Sequence, residues 1–115
     1  MKDWALIRER YLRDELPVRL GGLAANLSRI KSFANNENNK SVVESLIDES
    51  KHFIEWTAQE AEIETASKLV EIQVQLARWH ITLDKNWLDI NHRKQMSEKS
   101  IQWSQEVISS SGLLD

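Results

Sequence analysis

Three histidines, at positions 52, 80 and 92, and the carboxylates near them are the residues of this 115-residue chain best suited to chemistry. Glu49-Ser50-Lys51-His52 has the form Glu-x-x-His, and Asp89-Ile90-Asn91-His92 is its aspartate counterpart. Two such motifs with two further carboxylates make the inward-facing ligand set of a di-iron site in a helical bundle. The spacing argues against that chemistry here. On a helical wheel His52 lies opposite Ile47 and Ile54 and is expected to face solvent. At 1.5 Å per residue, His52 and His92 fall roughly 15–20 Å apart along a bundle axis. Metal ligands must converge within a few ångströms of one ion, so a di-metal site is not expected, and neither is a cofactor.

His80 and His92 are better matched, because they flank a turn expected at Thr82-Leu83-Asp84-Lys85-Asn86. Their heights then differ by only ~6 Å, and Trp79 and Trp87 lie near the same end. Trp79, His80, Trp87 and His92 could form a small aromatic and imidazole pocket for a planar ligand or one weakly held ion. The competing reading is a partly buried histidine sharing a hydrogen bond at a bundle end. Met96 is too far along its helix to join His80 as a haem ligand pair. Glu62 and Gln73 share the arc of His80, but polar residues at core positions commonly set helix register. An acid–base role would need a second titratable group in a divergent environment, which the sequence does not name. The chain has no cysteine, which excludes thiolate metal sites, disulfides and cysteine nucleophiles. It also lacks a phosphate-binding glycine loop and an HExxH helix. No catalytic residue is identified, and a non-enzymatic protein is expected.

The elements that position these residues are all helical in pattern. Apolar residues recur three and four apart almost throughout, and no stretch alternates over a strand's length. Helices are expected at 16–35, 41–56, 58–83 and 85–111, with an N-terminal helical extension over 1–15. The clearest loop is Asn35-Asn36-Glu37-Asn38-Asn39-Lys40. Ser41-Val42-Val43-Glu44 then has the form of a capping box, and Thr57-Ala58-Gln59-Glu60 repeats it. Past Thr57 the apolar stripe through Ala66, Leu69, Leu76 and Ala77 has rotated by more than a right angle, which supports a break there. Asp84 is expected to cap the last helix, and Gly112 to end it in the left-handed position. The last helix presents Trp87, Ile90, Lys94, Ser97, Ile101, Ser104 and Ile108 as its seam, and should be the least tightly packed. The first long helix carries the stripe Leu16, Leu20, Leu23, Leu27, Ile30 and Ala34, with Pro17 at its start. Gly21-Gly22 inside that stripe suggests close approach of a neighbouring helix. Leu46, Ile47, Phe53, Leu69, Leu76 and Ile101 are expected in the core with it. These elements predict one all-α domain over 1–115, an antiparallel up-down four-helix bundle with an N-terminal extension. The alternative is a three-helix bundle whose middle helix runs unbroken from 41 to 83.

Net charge is −3, distributed unevenly: +3 over residues 1–35, −6 over 36–75 and zero over 76–115. The arginines at 8, 10, 13 and 19 are interrupted by Glu9, Asp14 and Glu15, so nucleic-acid binding is not expected. No segment suits a signal peptide or a membrane span, and a cytoplasmic setting is expected. Trp4, Ile7, Tyr11 and Val18 are spaced by three, four and seven and form an apolar row. If the helix runs straight through Pro17, this row faces away from the Leu16–Ala34 stripe; if Pro17 breaks the chain, residues 3–15 swing back to cap their own bundle. Interleaved with arginines, the row has the composition of an interface. The expectation is a homodimer, or a complex with another protein, in which the bundle serves as a protein–protein interaction or scaffold module. The alternative is a ligand- or metal-binding bundle with its site near His80 and His92.

Overall fold

In a computed structural model, which describes residues 2–113, every regular element is helical. Met1 and residues 114–115, the ends of the expected domain, lie outside the described residues. Five helices follow one another: α1 Trp4–Arg13, α2 Leu16–Phe33, α3 Lys40–Thr57, α4 Ile63–Asn86 and α5 Ile90–Ser111. Short 3-10 turns at Glu37–Asn39 and Ala58–Glu60 join α2 to α3 and α3 to α4. The second of these turns removes the alternative of one unbroken helix from 41 to 83.

The helix ends show which local signals prevail. Asp3 caps α1 by accepting from the Leu6 backbone N–H at 3.1 Å. Asp14 and Glu15 are extended, so the chain changes direction before Pro17 enters the first turn of α2. Helix α3 begins one residue before Ser41, and the expected capping box is not formed. Thr57 likewise caps nothing: it is buried, and its hydroxyl is turned to Tyr11. Asp84 lies inside α4 and pairs with Lys40, because nothing before Trp87 breaks the helix. The cap of α5 is Asp89, which accepts from the N–H groups of Asn91 and His92. Gly112 ends α5 at φ 84°, a left-handed conformation that costs glycine little.

The α2 stripe is buried as its spacing predicts: Leu20, Leu23, Leu27, Ile30 and Ala34 join Val43, Ile47 and Ile54 of α3. Leu69, Ile72, Leu76, Trp79 and Leu83 from α4 complete this core with Met96, Trp103 and Val107 from α5. Leu46 and Phe53 are half-buried and pack on it from outside, and Ile101 is half-buried.

Helix α5 corrects the expectation of loose packing. Its buried side holds Arg93, Met96, Ser97, Ser100, Trp103, Ser104 and Val107, while Ile90 and Lys94 are exposed. The serines are small enough to bring α5 onto the α2 backbone, where Ser97 and Ser104 find carbonyl partners, while the buried Ser100 hydroxyl has none among the described residues. Ser97 donates to the Lys31 carbonyl at 2.6 Å and Ser104 to the Ala24 carbonyl at 2.7 Å. At Gly21 a Cβ would lie 2.8 Å from Cδ1 of Leu113, the end of an exposed side chain just past α5, and at Gly22 it would make only an ordinary contact with Tyr11.

Candidate functional site

Tyr11 and Trp4 are the first residues to locate, because the sequence leaves them either on a free face or folded back on their own bundle. The structure puts Tyr11 in the interior of its own chain. Its ring stacks on Phe53 at 4.1 Å with an interplanar angle of 9°. Its hydroxyl donates to the Arg19 carbonyl at 2.9 Å and accepts from Thr57 Oγ1 at 3.1 Å. Burial pushes the phenol up to about 12, against a smaller opposing effect of the Thr57 hydrogen bond. Trp4, half-buried, stacks on the His52 ring at 3.8 Å and meets Trp56 edge-on at 6.3 Å. Beside them Arg19, 6% exposed, pairs with Glu60 at 2.6 Å, which holds the Glu60 carboxyl below its usual range.

The row Trp4, Ile7, Tyr11 and Val18 is therefore not one face of a straight helix. The break at Asp14 and Glu15 folds α1 back onto α3, while Val18 stays exposed on α2. Its aromatic members are taken up within the chain, and His52 is half covered rather than free in solvent. The sequence signal for this docking is the cluster Phe53 and Trp56, which lies off the Ile47 and Ile54 stripe and needs a cover of its own.

Trp79, His80 and Trp87 are each engaged with a different part of the fold. Trp79 is buried with its ring 5.1 Å from that of Trp103 on α5. His80 Nδ1 lies 3.3 Å from Lys51 Nζ on α3. The Trp87 indole N–H donates to the Glu37 carbonyl at 2.6 Å, and the Arg93 guanidinium lies over its ring at 5.5 Å. His92 is half-buried at the first turn of α5, and its Nε2 is enclosed without a hydrogen-bond partner. The hollow beside Trp79 is lined by Gln75, Gln95, Glu98, Lys99 and Gln102, without either histidine. The turn between α4 and α5 comes at residues 87–89 rather than 82–86, and Trp87 faces the 3-10 turn before α3. Among the described residues no three His, Asp or Glu side chains are grouped so as to hold a metal ion.

A row of uncovered apolar side chains runs along α4. Ile63 and Ile81 are 86% and 84% exposed, and Val70 and Val74 are 49% and 48% exposed. Their spacing of seven, four and seven puts them in one row. At 100° per residue this row points about 160° away from the buried Leu69, Ile72, Leu76, Trp79 and Leu83. The outer stripe of this helix is spaced as regularly as the inner one. Composition does not separate them, since valine and isoleucine serve a core and an interface equally well. No helix of the described residues is long and apolar enough to cross a membrane. No family model matches the chain, and neither the curated proteins nor the solved structures yield a match.

Proposed function

We propose that this chain is a non-enzymatic protein–protein interaction or scaffold module, and that the outer face of α4 is its working surface. The observation that carries the reading is the row Ile63, Val70, Val74 and Ile81, apolar and solvent-exposed along one side of the helix. Exposed apolar residues scattered singly are ordinary, but a contiguous row marks a surface that excludes water when a partner is present. An up-down antiparallel arrangement of the four long helices belongs to the same proposal. It is supported by α2–α5 contacts in which Lys31 meets Ser97 and Ala24 meets Ser104, residue numbers running in opposite directions. A cytoplasmic setting belongs to it as well.

The test is whether the row is surplus to the fold. With Ile63 and Ile81 both replaced by Ser, denaturant unfolding of the purified protein at high dilution should shift by no more than about 0.5 kcal/mol, as at other surface positions. A loss of several kcal/mol would show that the row serves the chain's own core and would remove the support for this reading.

A further inference from the structure

The row on α4 is part of a longer seam, and the seam is complementary to itself. Ile63, Ser67, Val70, Val74, Ala77 and Ile81 follow one another at alternating steps of four and three, the spacing of a two-helix seam. Leu88, strongly exposed just past the end of α4, continues the same progression. One flank of the seam carries Glu64, Glu71, Arg78 and Lys85, seven residues apart and all exposed. Two acidic residues are thus followed by two basic ones. Among the described residues neither Arg78 nor Lys85 is ion-paired, while Glu71 lies 3.1 Å from Lys68.

We infer that the partner of this face is a second copy of the chain, with the two α4 helices packed antiparallel about a two-fold axis near Gln75. The inference rests on the reading of α4 as an interaction surface. A two-fold axis makes each contact occur twice, so the surface must complement its own reverse. Reversing α4 sets Glu64 against Lys85 of the second copy and Glu71 against Arg78 of the second copy. The same alignment stacks Ile63 on Leu88, Val70 on Ile81 and Val74 on Ala77 between the copies. Every strongly exposed apolar side chain of the row then gains an apolar neighbour. The one polar layer pairs Ser67 with Asp84, which Lys40 draws aside within its own chain. A parallel pairing would bring the acidic halves together and the basic halves together, which like charges oppose. The 24-residue helix offers a contact about 36 Å long, at 1.5 Å per residue.

The experiment is sedimentation of the full chain, wild type and charge-swapped. The wild type should dimerise at micromolar concentrations. Glu71→Arg alone or Arg78→Glu alone should weaken the dimer by about tenfold or more, because each makes two like-charge contacts across the axis. The double swap Glu71→Arg with Arg78→Glu should return to within about threefold of wild type, as coupled residues do. Because the chain has no cysteine, direction is read separately by oxidising a mixture of Val70→Cys and Ile81→Cys proteins. Cross-linking between unlike variants should far exceed that between like ones. A monomeric wild type, a dimer insensitive to the single swaps, a double swap that fails to recover, or a preference for like cross-links would each overturn the antiparallel dimer. A monomer whose Ile63 and Ile81 prove dispensable for folding would leave α4 an interaction surface for a different protein, which separates the failure of this inference from the failure of the reading beneath it.

Discussion

Helices α1 and α4 both carry apolar side chains at regular helical spacing outside the central core, and the two rows end differently. Trp4 and Tyr11 lie against His52, Phe53 and Trp56 of α3, whereas Ile63, Val70, Val74 and Ile81 remain in water. Length accounts for part of the difference. A helix of 10 residues is marginal by itself and forms only when a face is packed. A helix of 24 residues, already fixed by Leu69, Ile72, Leu76, Trp79 and Leu83, needs no second face to persist. Chemistry accounts for the rest. Tyr11 brings a hydroxyl that finds both a donor in Thr57 and an acceptor in the Arg19 carbonyl, so its burial leaves that group satisfied. Aliphatic rows have no such fixed partner, and only matching surface decides what covers them. An apolar row by itself therefore does not distinguish a strap from an interface; the lengths and partners of the helices do.

The sharpest contrast lies within α4 itself. Leu76→Ala, on the fully buried inner face, should lower unfolding free energy by about 2–5 kcal/mol. Val74→Ala, two residues away on the outer face, should change it by no more than about 0.5 kcal/mol when measured at dilution. Equal losses at both positions would erase the distinction between the faces. Leu27→Ala in α2 should behave like Leu76→Ala, as the stripe in that helix predicts.

Substitutions in α1 come next in size. Tyr11→Phe keeps the stack on Phe53 but leaves the Thr57 hydroxyl and the Arg19 carbonyl without their shared partner. It should cost about 1–3 kcal/mol by chemical denaturation, and a silent change would mean that α1 is not seated. Trp4→Ala and His52→Ala each remove one side of the outer stack and should cost about 0.5–1.5 kcal/mol. The two losses should not add, since both variants break the same contact. The helical wheel alone makes His52 a free surface residue whose loss is silent, and the docking of α1 is what changes that expectation.

Much of the fold was legible in the sequence. The α2 stripe, the polar loop after it, the break near Thr57 and the left-handed Gly112 are local signals, and each appears where periodicity or turn chemistry places it. Signals that depend on competition between neighbouring segments are not decided locally. Ser41 and Asp84 have good capping chemistry, but Ser41 lies one residue inside α3 and Asp84 lies inside α4, and no Gly or Pro stops either helix at them. Serines 97 and 104 look like a weak seam by hydropathy, yet their small size is what lets α5 lie against α2. The surface was the hardest to read. The direction α1 takes depends on two extended residues, Asp14 and Glu15, and the outer row of α4 becomes conspicuous only once the inner row is known to be satisfied.

Tyr11 offers the most direct test of the central claim, that the α1 row belongs to its own chain while the α4 row is left over. It is the only tyrosine in the chain, so ultraviolet tyrosinate absorbance reports it without assignment. In the folded chain its phenol is pushed up to about 12 by burial, from an ordinary value of about 10. The fold thus favours the protonated form. The stabilisation this represents, about 2–3 kcal/mol, is fully present below pH ~10 and is lost as pH rises toward 12. The titration midpoint should lie well above 10 and should not move as the protein is diluted through dimer dissociation. A midpoint near 10, or one that falls toward 10 on dilution, would show that Tyr11 is exposed or is buried only by another molecule, and would contradict the account.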